Sequence, residues 1–396
     1  MTGKRKGLNN QHIIKAVALA VTAVIMFSCQ KEQVQDSRVT LLPVIERKIE
    51  TAVHTRAINS ANYDEYVDDA NSTRQALAVQ AISFYPNSTT RANNHPEGNK
   101  DAAGTFVPLQ SGGWRSGVKV ELGFNYDLYV YSRTMPSSTD PTFTYDGSNT
   151  KLSFNGLHLL SATDPLVCIA ASGATLPDNP DPSTYPSLQE GNFNIGNIEE
   201  TSVENVKSTT KAFLAMDHLY SKATLSFKID AAYSQLRTIR IKDVQVTTTY
   251  GTLTGTHNYT FANNKLTLPT ESNISVSGSP ITINLFEGPN AVIEPDAGKD
   301  YYTLTTTSTT LGYFYFLPIN PLQTISLSVT YDVCDLAGNV TRADQTVTNN
   351  NLFAGMVNTE SGKAERGYNY TINVTVSPTY LYVLSDDDVE LDLTIE

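Results

Sequence analysis

Tyr368-Asn369-Tyr370-Thr371-Ile372-Asn373-Val374-Thr375-Val376 and, closing the sequence, Val389-Glu390-Leu391-Asp392-Leu393-Thr394-Ile395-Glu396 are the stretches that decide the fold class. In the first, Tyr368, Tyr370, Ile372, Val374 and Val376 alternate with polar residues, which is the two-residue period of a half-buried strand. Ser377-Pro378 breaks it, and a second apolar run, Tyr380 to Leu384, precedes the turn-like acids Asp386, Asp387 and Asp388. The alternation then returns, with Val389, Leu391, Leu393 and Ile395 facing away from Glu390, Asp392, Thr394 and Glu396. A final strand with a row of large apolar side chains has to cover them in a groove, of its own molecule or of the next one. The same alternation suits either groove.

Working outward, composition agrees with a β-protein. Thr, Tyr, Val, Ile and Phe are frequent and only 17% of residues are charged, so strands and loops are expected to dominate. The 396 residues have room for two or three domains, each with its own core. A formal net charge of −12, with no basic patch carrying interleaved aromatics, argues against a nucleic-acid surface, and no nucleic-acid partner is expected.

The amino terminus reads as an export signal. Lys4, Arg5 and Lys6 form its positive region, and Ala16 to Phe27 supply an apolar run too short for a comfortable transmembrane helix. It ends at Ser28-Cys29, which resembles a bacterial lipobox with Met26 at the usual aliphatic position. Gln30-Lys31-Glu32 resembles the charged tag of surface-exported lipoproteins of the Bacteroidetes. Acylation of Cys29 would anchor the chain without spanning the membrane; an ordinary signal peptide with an incidental cysteine is the alternative. The remaining cysteines, Cys168 and Cys334, each sit in an apolar run and read as buried free thiols.

After Cys29 comes a leader in which Val39 to Ile45 and Ile49 to Val53 are candidate short strands, interrupted by Arg38, Arg47 and Arg56. His54-Thr55-Arg56-Ala57-Ile58 reads as an exposed site for an arginine-specific protease, since linkers are where cleavage occurs. Arg74 and Arg91 have similar small or polar neighbours. A first body, from about residue 76 to 207, holds candidate strands at Val79–Tyr85, Val118–Leu122, Tyr126–Tyr131, Leu152–Leu160 and Leu166–Ala171. The loops Ser137–Pro141 and Leu176–Gly191, rich in proline, are candidate recognition surfaces. A second body opens near Phe213 and continues through Leu225–Ile229, Ile239–Val246, Ile281–Phe286, Tyr313–Leu317 and Ile325–Tyr331. The apolar parity of Ile239–Val246 changes at Asp243, which predicts a bulge.

Catalytic signatures do not emerge. There is no His-Glu-x-x-His, no Gly-x-Ser-x-Gly, no phosphate-cradling glycine loop and no two-cysteine redox or metal spacing, so neither an enzyme nor a cofactor is expected. Asp217 and His218 are adjacent, but neighbours on a strand point to opposite faces, so His218 reads as structural. The run Asp386–Asp388, without glycine or spaced ligands, reads as a solvated turn rather than a calcium site.

Four places taken together resemble the fimbrillin-like pilins of the Bacteroidetes: the lipobox at Cys29, Phe213 to Phe227 with its Asp-His-Leu-Tyr-Ser-Lys core, Phe316-Leu317-Pro318-Ile319, and Gly367 to Val374. The resemblance covers most of the chain from Cys29 onward. It departs in the final strand, where the family often has a tryptophan; Trp114 is the only one in this chain. The resemblance implies an all-β protein of two tandem transthyretin-like β-sandwiches, with a lipoprotein leader and a carboxy-terminal donor strand. The parts would be a signal peptide (1–28), a leader removed at Arg56 (29–56), and sandwiches over 57–207 and 208–396. It further implies a structural or adhesive subunit of a cell-surface pilus, with Val389, Leu391, Leu393 and Ile395 entering a neighbour's groove. Partners would be other pilin subunits, an arginine-specific protease, the outer membrane through the lipid, and a host or bacterial surface ligand. The rival reading is a non-polymerising surface lipoprotein that binds glycan or protein through its loops.

Overall fold

A computed structural model describes residues 38–45, 75–84, 100–109, 114–145, 150–176, 185–198, 200–203, 206–261, 265–267, 274–319, 325–353, 366–378 and 389–395. The strands begin with β1 (Arg38–Thr40), β2 (Leu42–Ile45), β3 (Leu77–Phe84), β4 (Ala102–Pro108), β5 (Trp114–Ser116), β6 (Lys119–Glu121) and β7 (Asn125–Ser132). They continue with β8 (Thr142–Tyr145), β9 (Thr150–Asn155), β10 (Leu160–Ser161), β11 (Leu166–Leu176), β12 (Asn194–Asn197), β13 (Glu200–Val203) and β14 (Val206–His218). Next come β15 (Ser221–Ile229), β16 (Thr238–Thr248), β17 (Thr252–Leu253), β18 (Thr256–Thr260), β19 (Lys265–Thr267), β20 (Val276–Ser277) and β21 (Thr282–Asn284). The last are β22 (Tyr302–Thr303), β23 (Thr309–Phe316), β24 (Ile325–Cys334), β25 (Val340–Asn349), β26 (Asn369–Pro378) and β27 (Val389–Ile395). Tyr233–Gln235 forms a short 3-10 turn. The all-β expectation holds.

Two hydrophobic cores divide these strands. The first lies under the sheet β13-β14-β11-β7-β3-β4-β5, with a smaller sheet, β19-β18-β9-β8, closing it. Tyr126, Leu128, Phe106, Phe213, Phe154 and Tyr259 fill it from both sheets. The second lies between β10-β23-β15-β26-β27 and β21-β16-β24-β25 and contains Phe227, Phe314, Val246, Leu327 and Ile372. Each is a sheet pair whose inward residues alternate with outward polar ones, the packing of a β-sandwich.

β14 crosses position 207 and ends at His218 in the first sheet; Leu219 and Tyr220 then carry the chain into β15 of the second. At β26 the alternation read from the sequence is realised: Tyr370, Ile372, Val374 and Val376 are buried, and the residues between them are only half-buried. Full burial of each of the three aliphatics contributes about 1.5–3 kcal/mol. β26 lies parallel to β15, from Lys222↔Asn369 to Ile229↔Val376. The predicted bulge in β16 is present, as a register shift against β24 between Ile241 and Asp243. Both predicted free thiols, Cys168 and Cys334, are buried and unbridged.

One glycine is dictated by packing. A Cβ on Gly173 of β11 would lie 1.9 Å from the carbonyl oxygen of Ile195. Only a residue without a side chain lets β12 pass this close.

Candidate functional site

β1 and β2 are two halves of one extended segment, Arg38 to Ile45, joined at Leu41. β1 runs antiparallel to β6, pairing Arg38 with Glu121 and Thr40 with Lys119. β2 runs parallel to β14, from Leu42 beside Lys211 to Ile45 beside Leu214. Between them the Leu41 N–H donates to the Val118 carbonyl at 3.1 Å, and the Leu41 side chain is completely buried in the first core. The segment is therefore bonded on both flanks and contributes a core residue.

The sequence tolerates this placement despite Pro43. Backbone groups of successive strand residues face opposite sides, and Leu41 faces β6, so position 43 faces that side too and β14 loses no donor. β6 pairing has already ended at Thr40. A proline fits where no ladder bond is required.

At the other end of the chain, β27 folds back on β26 as an antiparallel partner, from Pro378↔Val389 to Ile372↔Ile395. It is the outermost strand of its sheet. The tail thus pairs within its own chain, on a sheet edge. Val389, Leu391, Leu393 and Ile395 belong to this strand, in register with Pro378, Val376, Val374 and Ile372.

The two segments have a defined polarity. β14 runs toward the junction between the sandwiches, so β2, parallel to it, does also. β26 leaves the junction beside β15, and β27 returns from the far end of the second sandwich. Cys29 and Arg56, the expected lipidation and processing residues, lie outside the described residues, as do the acids Asp386–Asp388 and most of the proline-rich loop after Leu176.

The junction holds a cluster of charged side chains, Asp164, Asp217 and His218 buried and Arg366 partly exposed, that sequence reading identified only in part. His218 and Asp217 do point apart, as strand alternation requires. His218 Nδ1 meets Asp164 Oδ2 at 2.6 Å, both side chains being almost wholly buried. Asp217 Oδ2 meets the Arg366 guanidinium at 2.7 Å. Arg366 also donates to the His218 carbonyl at 3.4 Å and bonds with the buried Tyr259 hydroxyl. Burial pulls the His218 imidazole toward neutrality, but the Asp164 carboxylate beside it outweighs this, and its pKa is raised. Asp164 and Arg366, distant in sequence, left no local signal.

Among the described residues no group of three or more His, Cys, Asp or Glu side chains is arranged to hold a metal ion. Burial pushes the Cys168 thiol up to about 12, which keeps it protonated and inert.

No protein-family model matches the sequence, and no curated protein matches it. Solved structures do. The chain is similar to a fimbrial protein from Bacteroides vulgatus, at 12% identity and a TM-score of 0.42, over 91% of this chain and 99% of that one. It is similar to a fimbrilin from Porphyromonas gingivalis, at 11% identity and a TM-score of 0.33, over 91% and 97%. It is also similar to the fimbrial anchor protein Mfa2 from Porphyromonas gingivalis, at 11% identity and a TM-score of 0.30, over 90% and 97%. At these values the likeness is one of kind only, and the functional reading rests on the chain's own strands.

Proposed function

We propose that this chain is a fimbrillin-like structural or adhesive subunit of a cell-surface pilus. In this reading it is exported as an outer-membrane lipoprotein acylated at Cys29, cleaved at Arg56 by an arginine-specific protease, and polymerised by exchange of its terminal strand. The observation that carries the reading is the leader segment itself. Arg38 to Ile45 is bonded to β6 and β14 and buries Leu41, yet it lies on the amino-terminal side of Arg56. Cleavage at Arg56 would sever the covalent tie of a core strand and leave two strand edges and an apolar groove to be filled.

The terminal strand suits that vacancy in position and direction. As an outermost strand, β27 can leave its sheet without disturbing β26 and β15. Swung out from the far end of the second sandwich and entering a neighbour beside Val206, it would run toward the neighbour's junction. That is the direction of β2. Main-chain bonds would supply affinity, and the alternate set Val389, Leu391, Leu393 and Ile395 would supply specificity. Head-to-tail exchange of this kind does not close, so it builds a filament. Stalk and tip roles differ in whether a subunit donates its tail.

The test uses the chain lacking residues 1–29, treated with an arginine-specific protease and followed by intact mass, gel electrophoresis and electron microscopy. A parallel sample is truncated after Asp388. The expected result is cleavage after Arg56, loss of the leader and formation of ladders or filaments, all assembly vanishing in the truncated sample. A stable monomer after cleavage would sink strand exchange and favour a surface lipoprotein that binds through its loops.

A further inference from the structure

The order of the chain and the order of packing do not coincide. β16 and β21 pair with each other in the second sandwich, but between them the chain leaves it, and residues 250–261 cross to the first. There β18 pairs with β9, from Thr256↔Asn155 to Thr260↔Lys151. Leu253, Tyr259 and Phe261 are completely buried in the first core. The Phe261 ring meets those of Tyr129 in β7 and Phe193, with centroids 5.0 and 5.7 Å apart. The Leu253 N–H donates to the Leu157 carbonyl at 2.7 Å, and the Leu159 N–H donates to the Gly251 carbonyl at 2.8 Å. A shorter segment crosses the other way: β10 pairs with β23, and Leu160 is buried in the second core.

We propose that residues 250–261 are an arm by which the second sandwich completes the first, so that the two open as one cooperative unit and the first does not hold its core alone. Without β18 and the β19 that pairs with it, the sheet closing the first core is reduced to β8 and β9. A two-stranded hairpin is marginally stable by itself. Two aromatic side chains and Leu253 would leave the core with the arm, exposing what they cover to water.

The arm is held from the second sandwich at both ends. Before it, β16 pairs with β24 from Thr238↔Cys334 to Thr248↔Ile325; after it, β21 returns beside β16 from Thr247↔Thr282 to Gln245↔Asn284. While those strands are paired the ends of the arm are already fixed. Once they separate, docking on β9 has to order a free length of chain, at the full cost in conformational entropy. Leu41 packs in the core that the arm completes, so the seat of Arg38–Ile45 belongs to the same unit. This coupling stands whether or not the chain polymerises.

The test uses the full chain with Cys29→Ser and native-state hydrogen exchange, which reports how far separate regions open together. The amides read are Val130 of β7 in the first sandwich, Val329 of β24 in the second, and Leu41. Ile239→Ala empties part of the second core at the end of β16 remote from the arm; Ile239→Val serves where that variant does not fold. It is expected to speed exchange by about tenfold or more at Val329, and by the same factor at Val130. In a Phe261→Leu background, where the arm is weakened, its effect at Val130 is expected to shrink, and Phe261→Leu alone is expected to reduce protection at Leu41. Exchange at Val130 that ignores Ile239→Ala would overturn the proposal, since the first sandwich would then hold its core alone. An effect at Val130 of the same size in the Phe261→Leu background would overturn it too, because the coupling would run through the rest of the junction and not through the arm. Unchanged protection of Leu41 in Phe261→Leu would overturn the dependence of the Arg38–Ile45 seat on the arm.

Discussion

Leu41 is the residue on which the attachment of the segment Arg38–Ile45 turns. It is fully buried in the first core, and its N–H is bonded to Val118. Leu41→Ala is expected to cost the uncleaved chain about 2–5 kcal/mol by loss of buried apolar surface and creation of a cavity. Urea denaturation with a two-state fit measures this. A change below about 0.5 kcal/mol, the range of ordinary surface substitutions, would mean that the leader is not part of the core. At this scale the sequence spoke through alternation. It said that Asp217 and His218 would diverge, and they do; it did not say that Asp164 and Arg366 would receive them. Partners brought together across such sequence separations have no local pattern.

Among the elements, β26 and β16 were legible because each carries a period-two pattern strong enough to survive inspection residue by residue. Even the bulge between Ile241 and Asp243 was visible, since an extra residue shifts apolar parity. β11 was harder. The sequence suggested a strand ending near Ala171, but it continues to Leu176. Its second half, Ser172-Gly173-Ala174-Thr175, has small residues and no apolar stripe, because the close passage of Ile195 leaves no room for one. Gly173→Ala is expected to destabilise the first sandwich by about 1–3 kcal/mol, because the new methyl meets backbone that must move. Gly196→Ala tests overpacking against backbone strain. A Cβ there meets nothing within 4 Å, but its φ of +77° penalises a side chain. Denaturation midpoints of the two variants and native-state hydrogen exchange in β11 and β12 separate the causes: only Gly173→Ala is expected to loosen the contact between β11 and β12. Unchanged exchange across that contact would contradict the close approach.

For the whole molecule, the two ends of the chain differ in how much of the structure depends on them. The leader is bonded on two flanks and supplies a core side chain, whereas β27 has one partner strand on an outer edge. Removal of residues 30–56 is therefore expected to lower the urea midpoint of the remaining monomer more than truncation after Asp388. Both proteins are compared at a concentration where size-exclusion chromatography reports a monomer. The reverse order would mean that the tail, and not the leader, is the strand the fold cannot release.

From the sequence alone came the β class, the alternating strands near the end of the chain, the free buried thiols and the candidate processing and lipidation residues. These depend on local composition and on a side-chain period of two, which are properties of a stretch of chain. Tertiary structure decided where the two terminal segments go: Arg38–Ile45 between β6 and β14, and Val389–Ile395 on the edge of β26. It also brought Asp164, Asp217, His218 and Arg366 to one junction. The physical reason is that a strand's periodicity specifies which face it buries but not which edge it bonds, and edge choice depends on neighbours supplied by distant parts of the chain.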